Sequence, residues 1–420
     1  MRGVGLRAIG VSILILLNAR IVQADTVLDW NAIALKTTAA APFNPPVESR
    51  NLAIVHAAMF DAVNSIVGEF RPYAVEFSAP EGASPDAAAA AAAHFALVKL
   101  YAAQQAMLDD AYAASLASIP NGSAKTDGIA VGEAVATQIL ALRATDGAAA
   151  AIIAPYTPGS QPGDWIPTLP AFRPALDPGW GTVQPFFLRE ASQFRPAPPP
   201  ALDSPRYTRD FNEIKEIGSA TSSTRTQDQT DLARFWISTA PQNWNPAARQ
   251  VAIAQGLTLS QNARAFALLN LAGADAFIAS WDAKFTYNQW RPVTAIRAAN
   301  TTGNPDTIAD PGWTPLLITP PFPDYIAGHA TYGGAAEEVL EHVFGRHPGV
   351  VMKLTSATAP GVIETYTTFD EIAEGVVDAR VLGGIHWRTS CLRGRRVGQQ
   401  VGGFAVRHFL KPKSNDFDDE

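Results

Sequence analysis

Apolar residues recur at helical spacing along most of this chain, and no stretch alternates long enough to predict a sheet. In residues 49–66 they fall on one helical face, and Ser49 stands where an N-cap is expected. Another helix is predicted from Ser84, because this capping serine precedes a proline suited to a first helical turn. The same periodicity predicts further helices at 104–118, 126–143, 207–217, 228–236, 246–290, 333–344 and 363–386.

Two proline- and glycine-rich breaks, 154–206 and 300–323, interrupt this pattern. The first holds 13 of the 32 prolines, so that no helix can run through it. It also carries aromatic residues such as Trp165 and Trp180, which disordered linkers lack. We therefore expect a long ordered loop that lies over the helices and shapes a pocket.

The predicted fold class is all-α. We expect an N-terminal helical bundle with the proline-rich loop at 25–206 and a C-terminal helical bundle at 207–412. Residues 413–420 read as an acidic tail.

The first 24 residues have the pattern of a signal peptide. Arg2 and Arg7 precede an apolar run at 8–17, and a small-residue cleavage site ends at Ala24. The run is shorter than the roughly 20 residues of a membrane span, although an uncleaved anchor stays an alternative. We expect a secreted or periplasmic protein with no membrane span after cleavage.

Composition excludes several classes of protein. Of the 420 residues, 47% are hydrophobic and 17% charged, and the net charge is −7. These values exclude wholesale disorder and give no basic surface for nucleic acid. The single cysteine, Cys391, excludes an intramolecular disulfide. It is expected to be a buried thiol, with pairing across a homodimer as the alternative.

Three segments carry the candidate chemistry. In the first, Lys284 and Arg291 are seven residues apart, so on a helix ended by Pro292 they would share a face. With tryptophans beside them, the two cations could hold an oxyanion. Taken alone, such a pair is also typical of a solvated helix face.

The second segment places His329 behind Gly328 at the start of a predicted helix. Free amides at a helix N-terminus bind anions, and glycine permits close approach to the backbone. His329 could then act as an acid or base beside the anion. A capping histidine without chemistry is the alternative.

The third segment joins Arg380 to His386 across two glycines. The arginine supplies a planar fork for an oxyanion, and the histidine supplies a nucleophilic or metal-binding nitrogen. A core histidine would be the ordinary interpretation if His386 stood alone.

Together, the three ordered segments resemble the signature of the vanadium-dependent haloperoxidase and type-2 phosphatidic acid phosphatase superfamily. The signature K-x6-R-P, P-S-G-H and S-R-x5-H is similar to Lys284…Arg291-Pro292, Ile326-Ala327-Gly328-His329 and Ala379-Arg380…His386. The resemblance extends from about Asp29 to the last helix near Leu410. It implies two four-helix bundles, with the anion site in the C-terminal one.

The resemblance also implies roles for these residues. Lys284, Arg291 and Arg380, with the Gly328 amide, would hold the equatorial oxygens of vanadate. His386 would bind the vanadium and His329 would handle protons. Hydrogen peroxide and a halide would be substrates, and a small organic molecule would accept the halogen.

Two aromatic residues favour the haloperoxidase branch. Trp281 lies three residues before Lys284 and Phe322 seven before His329, as in the halide pocket of chloroperoxidase-type members. Ordinary core packing is the alternative for both. An acid phosphatase acting through a phosphohistidine at His386 stays open as an alternative function.

The chain departs from the signature at four positions. Ala327 and Ala379 stand where serines are expected, Ile326 replaces a proline, and Ser390 replaces an acidic residue four after the ligand histidine. With alanine at position 327, the serine hydroxyl of the signature is missing, which would weaken anion binding by about 0.5–1.5 kcal/mol. These losses also leave open a non-catalytic binder of phosphate-like anions.

Overall fold

A computed structural model describes residues 25–42 and 44–413. The signal-peptide prediction for 1–24 and most of the predicted acidic tail lie outside these residues. Within them the backbone is mainly helical, which confirms the all-α prediction. None of the helices described is long and apolar enough to cross a membrane.

The second helix begins earlier than the periodicity indicates. Asn44, and not Ser49, caps the second helix, because its side chain accepts from the Val47 amide at 3.2 Å. The Ser84 cap is confirmed at 3.2 Å from the Ala87 amide. The helices before the proline-rich loop are α1 (Thr26–Ala39), α2 (Pro45–Val67), α3 (Pro85–Leu100), α4 (Gln105–Ala117), α5 (Ser123–Arg143) and α6 (Ala148–Ile152).

The C-terminal half contains a hairpin that the sequence patterns missed. Residues 352–366 form two antiparallel strands with Met352 opposite Tyr366, so the helix predicted from 363 begins at Phe369 instead. The elements here are α7 (Pro205–Ile217), α8 (Gln227–Phe235), α9 (Ala240–Gln255), α10 (Leu259–Tyr287), α11 (Pro292–Arg297), α12 (Gly328–Phe344), β1 (Met352–Thr355), β2 (Ile363–Tyr366), α13 (Phe369–Leu382) and α14 (Arg388–His408).

Small residues let neighbouring helices approach closely. The alanines of α3 are buried, and a Cβ at Gly132 of α5 would lie 2.4 Å from the Ala88 carbonyl oxygen. Likewise, a Cβ at Gly398 of α14 would lie 2.0 Å from the Thr331 carbonyl oxygen of α12. Backbone contacts of this kind fix the distances between the helices that carry the site.

Helix α10 lies at the centre of the molecule and is buried along most of its length. It packs on α2, α12 and α14. One cluster of buried apolar residues runs from Val27 to Leu410 and includes members on both sides of residue 206. The division into bundles at that residue stays a prediction.

The proline-rich loop packs against α10. The buried Asp275 carboxylate accepts the amides of Phe186, Phe187 and Leu188 at 2.7, 2.7 and 2.9 Å. Further along α10, the Leu176 carbonyl oxygen accepts from Trp281 Nε1 at 3.2 Å. The loop therefore covers the end of α10 that carries Lys284.

Candidate active site

Lys284 and Arg291 come from two different elements. Helix α10 ends at Tyr287 because Asn288 adopts a left-handed conformation, and its amide donates to the Lys284 carbonyl oxygen. Arg291 is the N-cap of α11, and Pro292 begins that helix. The prediction that both cations share one helix face was therefore wrong, and the turn at 288–290 brings them together.

Both side chains are fully buried. Lys284 Nζ donates to the carbonyl oxygens of Pro323 and Asp324 at 2.9 and 2.8 Å. Burial lowers the pKa of Lys284 well below its ordinary value, and the charge of Arg291 lowers it further. A bound anion would oppose both effects, since it stabilises the protonated amine.

Arg291 lies against His386. Its Nη1 donates to the Ile385 carbonyl oxygen at 2.6 Å and lies 3.0 Å from His386 Nε2. Its Nε donates to the Phe322 carbonyl oxygen at 2.7 Å. Burial lowers the pKa of Arg291 to about 10, so the side chain stays charged at neutral pH.

His386 lies in the turn between α13 and α14, and not in a helix as predicted. Helix α13 ends at Leu382, and Gly384 has a φ of 73°, which only glycine adopts without strain. The imidazole is 2% exposed. Burial, and then the charges of Arg291, Lys284 and Arg380, hold its pKa well below the ordinary value. His386 is therefore neutral and can bind a metal centre.

His329 and Arg380 both contact the segment 236–239. His329 Nε2 lies 2.9 Å from the Ser238 carbonyl oxygen, and Arg380 Nη2 donates to the Trp236 carbonyl oxygen. Burial, followed by the charge of Arg380, lowers the pKa of His329 to about 3. Backbone carbonyls thus accept the hydrogen bonds that an oxyanion would otherwise accept.

The N-terminus of α12 is buried and has no side-chain cap. Ala327 occupies the N-cap position, and both it and Gly328 are buried. A Cβ at Gly328 would lie 3.1 Å from Phe277 and 3.3 Å from Trp281, which explains the glycine. The first amides of any helix lack intrahelical partners, so those of α12 remain available to an anion.

Trp281 and Phe322 lie side by side, with ring centroids 4.9 Å apart. Lys284 Nζ is 5.0 Å from the Phe322 centroid and 5.7 Å from that of Trp281. The two rings thus form an apolar wall beside the amine. Their positions fit the predicted halide pocket, and that role stays a prediction.

Sequence reasoning missed Asp324. This residue is fully buried, and its Oδ2 lies 3.2 Å from His386 Nδ1 and 3.9 Å from Arg291 Nη1. Burial raises its pKa to about 6, against the opposing effect of the two neighbouring cations. A carboxylate five residues before a motif histidine gives no periodic signal, so only the fold reveals the contact.

The buried donors of these residues are suited to an oxyanion. Arg291 Nη2 and Arg380 Nε are buried without a hydrogen-bond partner among the described residues. Unpartnered buried donors are costly, and an oxyanion would satisfy them. Across 25–42 and 44–413, no group of three His, Cys, Asp or Glu could hold a metal cation. The unpartnered donors therefore suit an oxyanion beside the buried His386.

A cavity of about 710 Å³ lies on the far side of the segment 236–239. Ser238 and Thr239 line it together with Glu48, Gln242 and Asn243 from α2 and α9. Most of its wall is apolar. Asn243 Nδ2 and Thr239 Oγ1 are buried there without hydrogen-bond partners in the described part of the chain.

The fold and the site define a helical protein with a cluster of three buried cations and two histidines that is suited to an oxyanion. Residues 264–414 match the family described as the VCPO second helical-bundle domain. Vanadium chloroperoxidase of Curvularia inaequalis is 27% identical to this chain over an alignment of 411 positions. The alignment covers 78% of this chain and 67% of that protein.

Solved structures of vanadium-dependent haloperoxidases have a similar fold. A bacterial vanadium-dependent iodoperoxidase is 27% identical, with a TM-score of 0.77 over 92% of this chain and 96% of that one. A holo-type bacterial vanadium-dependent chloroperoxidase shares the fold at 16% identity, with a TM-score of 0.75 over 93% and 98% of the two chains. Over most of its length, the chain is therefore similar to vanadium-dependent haloperoxidases.

Proposed function

We propose that this protein is a vanadate-dependent haloperoxidase, which uses hydrogen peroxide to oxidise a halide to a hypohalous-acid-type halogenating species. One observation carries the proposal: Lys284, Arg291 and Arg380 surround His386 in a buried pocket with unpartnered guanidinium donors. The names of the family's chloroperoxidase and iodoperoxidase members support this activity.

The three cations would hold the oxygens of vanadate. Arg291 and Arg380 contribute fixed planar donors, and the Gly328 amide adds the field of the α12 N-terminus. Because the pocket excludes water, each of these contacts is stronger than it would be at the surface. Binding of the anion would displace the Trp236 and Ser238 carbonyls from Arg380 and His329.

The two histidines would have different tasks. His386 is neutral and buried, and its Nε2 would bind the vanadium. Bound vanadate supplies Lewis-acid activation of hydrogen peroxide. His329, which the low pKa keeps neutral, would accept a proton from the peroxide, and Lys284 Nζ would donate to a peroxide oxygen.

Trp281 and Phe322 would bind the halide next to Lys284. The two rings and the amine, 5.7 and 5.0 Å from their centroids, give a largely apolar site with a hydrogen-bond donor beside it. Both properties favour a large, weakly hydrated anion.

A small organic molecule would accept the halogen in the cavity behind Ser238. The apolar wall suits an aromatic ring, and the unpartnered Asn243 Nδ2 suits a phenol oxygen. Ser238 lines this cavity, and its carbonyl oxygen lies 2.9 Å from His329 Nε2. The acceptor would therefore lie within a few residues of the oxidising centre.

Export through the 1–24 signal peptide, to the periplasm or the medium, is also a proposal that rests on the sequence pattern. Cys391 is buried, as expected, which leaves its thiol unsuited to a disulfide across a homodimer. The homodimer itself stays a prediction.

The decisive experiment measures halide oxidation by hydrogen peroxide in protein freed of vanadate, before and after orthovanadate is added. Chloride, bromide and iodide are assayed in parallel. We expect turnover that requires vanadate and is lost in His386→Ala. Absence of vanadate-dependent turnover with all three halides would reject the proposal. In that case, hydrolysis of a chromogenic phosphate ester that depends on His386 would favour the phosphatase, and anion binding without either activity would favour a non-catalytic binder.

The acceptor site is tested separately. Asn243→Leu fills the cavity and removes the donor, while Ile308→Val, at an exposed residue that does not line the cavity, is the control. We expect Asn243→Leu to slow phenol halogenation and leave iodide oxidation unchanged. Equal effects on both rates would show that the acceptor reacts elsewhere.

A further inference from the structure

The carboxylate of Asp324 lies beside the Nδ1 atom of His386. Oδ2 lies 3.2 Å from Nδ1, and both side chains are buried. The backbone of Asp324 is held independently, since its carbonyl oxygen accepts from Lys284 Nζ at 2.8 Å and from Ser390 Oγ at 3.2 Å. The main chain is thus fixed without any help from the carboxylate.

The neighbours of His386 select one tautomer. Arg291 Nη1 can only donate, and it lies closer to Nε2 than to Nδ1, at 3.0 against 3.3 Å. With Nη1 donating to the nearer nitrogen, Nε2 carries the lone pair and the ring proton resides on Nδ1. No donor in the described residues satisfies Asp324 Oδ2, which lies 3.2 Å from Nδ1, so this oxygen is available to accept that proton.

We propose that Asp324 is the positioning residue for His386: its carboxylate accepts the Nδ1 proton and thereby presents the Nε2 lone pair to the oxyanion pocket. The role rests on the proposed function, in which Nε2 binds vanadium. A histidine ligand that donates its second nitrogen to a carboxylate gains both basicity and a fixed ring orientation.

The location of Asp324 also accounts for Ser390. The sequence resemblance places an acidic residue four positions after the ligand histidine, where this chain has serine. In the structure, the Ser390 hydroxyl donates to the Asp324 carbonyl oxygen, so the two residues are neighbours. A carboxylate at either position would therefore lie in the same space beside His386. Asp324 therefore supplies from the 320–329 segment what position 390 lacks.

The test compares four proteins: the native chain, Asp324→Asn, Asp324→Ala, and Asp324→Ala combined with Ser390→Asp. Asparagine has the shape of aspartate and keeps an acceptor oxygen. Asp324→Asn therefore still tests the role if Asp324→Ala does not fold. The double variant moves the carboxylate to position 390. Asp61→Asn is the control, because that carboxylate is equally buried but binds the backbone of residues 73–75.

Two measurements are made on each protein. Nitrogen-15 NMR of vanadate-free protein reports the His386 tautomer, with the signal assigned by its loss in His386→Asn. Equilibrium dialysis reports the affinity for orthovanadate. We expect Asp324→Ala to mix the tautomers and weaken vanadate binding by about 10- to 100-fold. Asp324→Asn should retain the tautomer and bind with intermediate affinity, and the double variant should recover both properties.

An unchanged tautomer and affinity in Asp324→Ala would overturn the inference, as would failure of the double variant to recover either property while it folds. The tautomer signal is independent of halide oxidation. A native chain with the Nδ1–H tautomer but no vanadate-dependent turnover would reject the proposed function and leave the role of Asp324 standing.

Discussion

His329 Nε2 lies 2.9 Å from the carbonyl oxygen of Ser238. A carbonyl oxygen only accepts, so the proton of the neutral imidazole resides on Nε2 and the Nδ1 lone pair is available as a base. The residue that would handle protons is therefore already in one tautomer before any anion binds.

His329→Ala should separate proton transfer from anion binding. A general acid or base contributes about 10²- to 10⁴-fold, so we expect halide oxidation to fall by that factor. The cationic donors remain, and orthovanadate should bind within a few-fold of the native affinity. Stopped-flow iodide oxidation and equilibrium dialysis measure the two quantities. A loss confined to vanadate affinity would show that His329 holds the anion instead.

Arg380→Ala should weaken the oxyanion pocket. A charge-assisted hydrogen bond contributes about 1.5–3 kcal/mol, which corresponds to roughly 10- to 150-fold in vanadate affinity. Arg346→Ala is the matched control, since that side chain is 81% exposed and pairs with Glu341. Dialysis with orthovanadate compares the two. The assignment of Arg380 fails if both variants bind like the native chain.

Ala327→Ser should restore a hydroxyl at the uncapped N-terminus of α12. Serine at an N-cap stabilises a helix by about 1 kcal/mol relative to alanine, and the same hydroxyl could donate to a bound anion. We expect a higher melting temperature and tighter orthovanadate binding. Thermal unfolding with and without vanadate separates the two effects. A decrease in both would mean that the buried site has no room for the oxygen.

His56 should make the stability of the protein depend on pH. Burial lowers its pKa from 6.5 to about 3, so the unfolded chain takes up a proton that the native state excludes. Its contribution is complete above pH 6.5 and is lost as the pH falls towards 3. Between roughly pH 4 and 6, the unfolding free energy of the native protein should rise with pH. The rise should be steeper than that of His56→Gln by about 1.4 kcal/mol per pH unit. Urea unfolding at several pH values measures the slopes, and parallel slopes would contradict the assignment.

Gly398→Ala tests the close contact between α12 and α14. The added Cβ would lie 2.0 Å from the Thr331 carbonyl oxygen, and overpacking of this kind costs about 1–3 kcal/mol or more. Gly403→Ala is the control on the same helix, because its Cβ would first meet the flexible end of Arg407. We expect the first variant to lower the melting temperature and the second to leave it unchanged or raise it. Equal melting temperatures would show that the helices can separate without cost.

Local patterns predicted the parts of this protein that depend on neighbours in sequence. Ser84 before Pro85 identified a helix start, and the alanines of α3 identified a close packing face. Where competing local signals were present, the same reasoning was wrong. Asn44, and not Ser49, caps α2. The β1–β2 hairpin lies where the helix predicted from 363 was expected to begin. A four-residue strand is too short for alternation to distinguish it from a helical turn.

The sequence by itself determined the chemical groups: three cations, two histidines and a helix start, in an order that resembles one superfamily. Only the tertiary structure decided how they meet. Asn288 ends α10 and turns Arg291 towards His386, and the 236–239 segment returns from α8 to contact His329 and Arg380. Asp324 joins them from a loop without periodicity. These relationships depend on desolvation and on contacts between residues far apart in the chain, which no local pattern encodes.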